Sequence, residues 1–316
     1  MRKTTLVIAM FAAACSPADS ADTTTSTEPS LPSTTSASPV TTTTAPPATT
    51  TIPPTTTTSL GDTTTTTELE GNWAHGPLVT TGFGALGWWD GSGWLDAESE
   101  GALPVAGGED YQVIVLDQLG RTTGGAQITV CEPLDLISVE LADPELLGQF
   151  PGPYGVAISA PWPLQPHLFE VVTDDGTYAG FAAQLLAERG LDVAEPVIKQ
   201  LFRTDLEGDG INEVLVVAEE VSPGFIMEEG DYSIAFMRKV VDGEVQTAIL
   251  GETLVFDEMD QFGAAHFFGG VADLNGDGKM EIIVNAAFFE GFAVEVWEYV
   301  DDDLGPLLVL QMGCGS

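Results

Sequence analysis

Two short acidic loops, each followed at once by a run of apolar residues, constrain the fold of this chain more than any other feature. They read DLEGDGINE (205–213) and DLNGDGKME (273–281), and the runs that follow them are VLVVA and IIVNA. Apolar runs this short and rich in Val and Ile are typical of buried β-strands rather than of an exiting helix. Each loop is therefore predicted to join two strands.

Both loops have the residue pattern of a calcium-binding loop. Oxygen-bearing side chains occupy positions 1, 3, 5 and 9, and glycine occupies position 6. Ca²⁺ takes about six to eight oxygen ligands, which alternate carboxylates on a tightly turned loop can supply. Glycine permits the backbone angles that such a turn requires. Position 12, where an EF-hand needs a bidentate Glu, is Val216 in one loop and Val284 in the other, so these loops are not EF-hands.

The sequence thus predicts two Ca²⁺ sites, and the alternative is a pair of acidic, solvated β-turns that hold no ion. The predicted ligands of the first site are the side chains of Asp205, Glu207, Asp209 and Glu213 with the carbonyl of Ile211. Those of the second site are the side chains of Asp273, Asn275, Asp277 and Glu281 with the carbonyl of Lys279.

The segment HFFGGVADLNGDGKMEIIVNAAF resembles an FG-GAP or VCBS repeat, the calcium-loop blade of integrin-type β-propellers. FRTDLEGDGINEVLVVAEE resembles a second copy, and it departs from the family at Glu207, where Asp or Asn is preferred. The resemblance covers about 196–316 and implies the ligand positions named above. Four apolar stretches in each of 197–257 and 266–314 predict two blades of four strands each. A closed propeller has about four to eight such blades.

The predicted fold is mainly β, with two antiparallel propeller-like blades, a further β-rich region at 71–195 and one helix. Hairpins are expected at Asp90 to Gly93, within YQVIVLDQLGRTTGGAQITVC, at Asp242-Gly243, and near Asp301 to Gly305. The helix is predicted from about Thr177 to Arg189, with Asp175 capping its start and Gly190 its end. The apolar residues on one face of this helix are Tyr178, Phe181, Ala182, Leu185 and Leu186.

The N-terminus is interpreted as a targeting signal rather than as part of the fold. Residues 1–15 combine a basic start, a short apolar stretch and a cysteine, and they resemble a bacterial lipobox with Cys15 as the lipidated residue. Residues 16–70 include 22 Thr, 8 Ser and 8 Pro, a composition that predicts a disordered stalk. The expected location is extracytoplasmic, anchored to the membrane only through Cys15. Cleavage near Ala14, which would give a freely secreted protein, is the alternative.

Lipidation of Cys15 would leave Cys131 and Cys314 as an even pair in an exported protein. The sequence therefore predicts a disulfide between them, and the alternative is two unpaired, buried thiols. Trp88, Trp89 and Trp94 are interpreted as core residues of a small sheet, with an exposed sugar-stacking platform as the alternative.

Charge and motifs favour a binding function over catalysis or nucleic-acid recognition. A formal net charge of −39 opposes binding to nucleic acid and to anionic lipid. The three histidines are isolated, and no hydrolase or phosphate-binding motif is present, so no catalytic residue is predicted. We expect a non-catalytic, surface-anchored binding or adhesion module whose Ca²⁺ is structural and whose partner is a glycan or a protein at the cell surface. The alternatives are a secreted polysaccharide hydrolase and a purely structural envelope lipoprotein.

Overall fold

The computed structural model describes residues 69–149, 152–164, 170–171, 176–224, 226–241, 243–257, 261–299 and 306–315. The chain divides into a unit of Met1–Asp62 and a unit of Thr63–Ser316, and all described residues belong to the second. The predicted signal peptide, Cys15 and residues 16–68 of the predicted stalk lie outside the described residues. The same holds for Asp175, Asp242 and residues 301–305.

Seven strands of the N-terminal region form one antiparallel sheet. They are β1 (Leu78–Thr80), β2 (Ala85–Trp89), β3 (Trp94–Asp96), β4 (Asp110–Val115), β5 (Gln118–Val130), β6 (Leu136–Leu141) and β7 (Val156–Ser159). Their spatial order is β3-β2-β1-β7-β4-β5-β6. The two predicted hairpins of this region are confirmed as β2–β3 and β4–β5.

Trp88 is only 9% exposed and belongs to the core of this sheet, as the sequence predicted. Trp89 and Trp94 are half-buried and pack edge to face, with ring centroids 5.4 Å apart. The three tryptophans therefore do not form a flat exposed platform.

The predicted helix is confirmed as α2 (Gly176–Glu188), and its buried face includes Ala182, Leu185 and Leu186. Gly190, at φ +95°, ends it as expected. Two short helical turns were not predicted: α1 (Ala97–Glu100) and a 3-10 helix at Pro144–Leu147. None of the helices in the described part of the chain is long and apolar enough to cross a bilayer.

The first predicted blade is an antiparallel sheet that contains one strand more than expected. Its strands are β8 (Glu170–Val171), β9 (Ile198–Thr204), β10 (Glu213–Glu220), β11 (Tyr232–Val241) and β12 (Glu244–Leu254). They lie in the order β12-β11-β10-β9-β8. The four predicted strands form the meander, and β8 adds to its edge. Helix α2 packs against this sheet, which we call the first blade.

The second predicted blade is a four-stranded antiparallel meander. Its strands are β13 (Ala264–Ala272), β14 (Glu281–Phe288), β15 (Gly291–Glu298) and β16 (Leu307–Gly315), in the order β13-β14-β15-β16. Within the described part of the chain, this second blade contributes to two cores: Ile283 of β14 packs in the core shared with the N-terminal sheet, whereas Ile282 and Val284 pack in the core shared with the first blade. Because both faces are buried, β14 is a continuous apolar run rather than an alternating one.

Polar contacts and a disulfide also join the N-terminal sheet to the second blade. The backbone N–H of Leu116 donates to the Gly269 carbonyl at 2.6 Å, and Asn285 Nδ2 donates to the Tyr154 carbonyl at 2.8 Å. The predicted pairing of Cys131 with Cys314 is present, with Cα atoms 5.8 Å apart and a sequence separation of 183. It fastens the end of β5 to the last strand, β16.

Candidate metal centre

The second acidic loop (273–281) connects β13 to β14 and is held by its own side chains. Each of its oxygen-bearing residues accepts a hydrogen bond from a backbone N–H within the loop. These bonds run from Gly276 (2.6 Å) and Gly278 (3.0 Å) to Asp273, from Asp277 to Asn275 (2.9 Å), from Lys279 to Asp277 (2.8 Å), and from Leu274 to Glu281 (2.6 Å).

The first loop (205–213) connects β9 to β10 and has nearly the same bonding pattern. The bonds run from Gly208 (2.8 Å), Asp209 (3.1 Å) and Gly210 (2.8 Å) to Asp205, from Ile211 to Asp209 (2.6 Å), and from Leu206 to Glu213 (2.9 Å). At position 6, Gly210 and Gly278 have φ of +85° and +87°, the left-handed conformation that the sequence predicted for these glycines. The two loops are therefore structural equivalents.

The two loops also touch each other. The backbone N–H of Met280 donates to the carbonyl oxygen of Leu206 at 2.8 Å. Leu206 and Leu274, at position 2 of each loop, are fully buried. Each loop is thus anchored by a leucine beneath it, and its acidic tip faces outward.

The glutamate at position 9 of each loop is buried at the start of a strand. Glu281 is fully buried; its Oε2 accepts the bond from Leu274, and its Oε1 has no hydrogen-bond partner in the described part of the chain. Burial raises the pKa of Glu281 well above its usual value, and the charges of Asp273 and Asp277 add to this. Burial likewise raises the pKa of Glu213 to about 7. In both groups the effect of burial on the pKa outweighs that of the backbone hydrogen bond from the leucine at position 2.

Two residues that were not predicted as part of the site also contact the second loop. Glu298, at the end of β15, accepts a hydrogen bond from Asn275 Nδ2 at 3.1 Å, and burial and the charge of Asp277 raise its pKa. Trp162, from the N-terminal region, donates from Nε1 to the Asp273 carbonyl at 3.0 Å. Hairpin register could have indicated Glu298, whereas nothing in the sequence brings Trp162 to this loop.

The predicted ligands are gathered in two loops, but they do not converge on a point. Within the described ranges, no group of three or more His, Cys, Asp or Glu side chains is arranged to hold a metal ion. Asp209 and Asp277 are exposed, and Glu207 is half-buried, its charge raising the pKa of Glu213. The roles of the Ile211 and Lys279 carbonyls stay predictions.

The donor set nevertheless fits a hard cation. Every side chain in it offers oxygen, and a carboxylate that accepts one backbone bond keeps further lone pairs for a ligand. Among the described residues, Oε1 of Glu281 is a buried oxygen without a hydrogen-bond donor. The donors of both loops are thus of the type that hard cations prefer. His266 is buried in β13, where burial lowers its pKa to about 4.

The chain matches no family model, no curated protein and no solved structure. The resemblance of 196–316 to FG-GAP repeats therefore stays a prediction from the sequence.

Proposed function

We propose that the globular part of this chain is a calcium-stabilised, non-catalytic binding module held at the cell surface. The observation that carries the proposal is the pair of equivalent, mutually bonded acidic loops, one of which buries an oxygen of Glu281 that lacks a partner among the described residues. A buried, unpaired carboxylate is costly, and a bound cation offsets that cost. Oxygen-only ligands suit Ca²⁺ better than softer metals.

The ion would have a structural role. Leu206 fixes the first loop in the core between the two blades, and Leu274 fixes the second loop in the core shared with the N-terminal sheet. Trp162 also joins the second loop to the N-terminal region. A cation that binds the folded loops and not the unfolded chain stabilises the fold by linkage. Neutralising the loop carboxylates would also lower the repulsion within a chain of net charge −39.

The binding role is proposed from the whole chain. A lipid anchor at Cys15 followed by a Thr-rich stalk would hold the module outside the membrane, where a glycan or a protein is its partner. The strong negative charge favours neutral or basic ligands over nucleic acid and anionic lipid.

Thermal unfolding of the oxidised protein tests the role of calcium. A Ca²⁺ concentration about 100 times Kd adds about 2.7 kcal/mol per site, which for a domain of this size raises Tm by about 5–10 °C. The comparison is with EDTA at an ionic strength matched by NaCl, since salt alone screens the negative charge. The paired substitution Asp273→Ala with Asp277→Ala should remove the second loop's share of the shift and leave the share of the first loop.

Asp90→Ala is the matched control for this experiment. Asp90 also accepts backbone bonds in a glycine-containing turn, from Ser92 and Gly93, but that turn joins β2 to β3 and belongs to neither acidic loop. The control should keep the full calcium shift. A wild-type protein whose Tm is the same in Ca²⁺ and in matched NaCl would contradict the proposal. If the shift is present, a glycan array probed with and without EDTA tests the binding role.

A further inference from the structure

The strand residue beside the position-9 glutamate differs between the two blades. In the second blade Ile282 pairs with Trp297, so the register places Glu298 opposite Glu281. In the first blade Val214 pairs with Arg238, so the same register places Lys239 opposite Glu213. Residues directly opposite in an antiparallel pair have Cβ atoms about 4.5–5.5 Å apart. The equivalent position beside the loop thus carries an anion in one blade and a cation in the other.

Glu298 lies against the second loop rather than in solvent. Its Oε1 accepts from Asn275, which is itself a predicted ligand, and its strand partner is Glu281, whose Oε1 is buried without a partner among the described residues. The loop supplies five predicted oxygen donors, whereas Ca²⁺ takes about six to eight. A carboxylate from β15 would supply the oxygen that position 12 provides in an EF-hand and that Val284 cannot provide here.

Lys239 occupies the equivalent place in the first blade and is buried, with 4% of its surface exposed. Its Nζ donates to the Tyr299 hydroxyl at 3.4 Å and lies 4.8 Å from the centre of the Tyr299 ring. An ammonium group has donors only and cannot coordinate a metal ion. The register extended from Val214 and Arg238 puts this positive charge one strand away from Glu213, where it would oppose the binding of a divalent cation.

We propose that Glu298 is a further oxygen ligand of the second loop and that Lys239 weakens the first, so that the two loops form one tight and one weak calcium site. This inference rests on the proposed binding of calcium by these loops. It makes the two blades unequal in function although their loops have nearly the same local structure.

Calorimetric titration of the full oxidised chain with CaCl₂ tests the inference. The wild type should show two unequal sites. Glu298→Gln keeps the size of the side chain and an acceptor for Asn275, and it should weaken the tight site by about tenfold or more. Lys239→Met should strengthen the weak site and leave the tight one unchanged. Circular dichroism of each variant verifies that the sheets remain folded.

Glu295→Gln is the matched control, because Glu295 lies on the same strand and its carboxylate accepts from Trp297 Nε1 at 3.0 Å instead of meeting a loop. It should leave both affinities unchanged. Two equal wild-type sites, or a Glu298→Gln variant that binds like the wild type, would overturn the inference while leaving calcium binding intact. A wild type that binds no calcium would overturn the proposed function as well.

Discussion

The backbone N–H of Met280 donates a 2.8 Å hydrogen bond to the carbonyl oxygen of Leu206, which joins the two acidic loops directly. The side chain of Leu206 packs in the core between the two blades, whereas Leu274 packs in the core between the second blade and the N-terminal sheet. The equivalent leucines thus anchor the loops in two different cores. The candidate metal centre therefore lies beside both of the cores that join the three sheets.

Truncating either leucine should destabilise the whole protein rather than its loop alone. Both side chains are fully buried, so Leu206→Ala and Leu274→Ala should each lower the free energy of unfolding by about 2–5 kcal/mol. Urea denaturation in EDTA measures this without any contribution from calcium. Ile211→Ala is the control: Ile211 belongs to the first loop but is 48% exposed, and its loss should cost less than about 0.5 kcal/mol. Equal costs for all three variants would contradict the anchoring role.

Gly208 and Gly276 occupy position 4 of their loops and have similar φ values of +75° and +81°, so an alanine at either position suffers similar backbone strain. Their surroundings differ. A Cβ at Gly276 would lie 3.2 Å from the Trp162 ring, whereas no atom lies within 4 Å of one at Gly208. Gly276→Ala should therefore destabilise the protein by more than Gly208→Ala, and it should disturb Trp162.

Chemical denaturation of both variants, followed by tryptophan fluorescence, measures the difference. In a Trp162→Ala background the two glycine substitutions should cost the same, because only the indole distinguishes their sites. A Gly208→Ala variant that loses as much stability as Gly276→Ala in the wild-type background would show that the Trp162 contact has no energetic effect.

Local patterns predicted most of the fold. The loops, the apolar runs after them and the turn glycines are each set within a few residues, so the meanders and helix α2 follow from the sequence. The continuous run in β14 predicted burial but not the partners on its two faces, because any apolar surface can cover Ile283. The pairing of β8 with β9 was also missed, since two residues carry no periodic signal.

The candidate site was predictable only in part, because some of its contacts join segments that are distant in sequence. The loop positions follow from spacing, whereas Glu298 depends on the hairpin register and Trp162 on the packing of two sheets distant in sequence. The cysteine pairing was predictable because only two cysteines remain after Cys15. Contacts between distant segments depend on the complete core, which no single stretch of sequence specifies.

The Cys131–Cys314 disulfide should contribute strongly to stability because it closes a long loop. Its partners are 183 residues apart, and loss of a crosslink of this kind costs about 2–5 kcal/mol. Reduction should therefore lower Tm. The doubly substituted Cys131→Ser, Cys314→Ser variant should have the Tm of the reduced wild type, whether or not reductant is added. A wild-type Tm unaffected by complete reduction, verified by thiol titration, would be incompatible with this role.

His266 should make the fold less stable in mild acid. It is 8% exposed, and burial lowers its pKa to about 4 from an ordinary value near 6.5. Between these values the unfolded chain binds a proton that the folded chain excludes, so stability falls as the pH falls from about 6.5 to 4, by of order 3 kcal/mol. Above about pH 6.5 the residue has no effect on the pH dependence.

The His266 contribution is measured by difference, because buried carboxyl groups act in the opposite sense. The pKa of Glu213 is raised to about 7, so the folded chain binds a proton at a higher pH than the unfolded chain does. Glu213 therefore adds stability as the pH falls below about 7. Urea denaturation of the wild type and of His266→Gln, in EDTA and across this pH range, cancels those shared contributions. The wild type should lose stability relative to the variant as the pH falls, since glutamine has no proton to gain. Parallel stability curves for the two proteins would refute a buried, neutral His266.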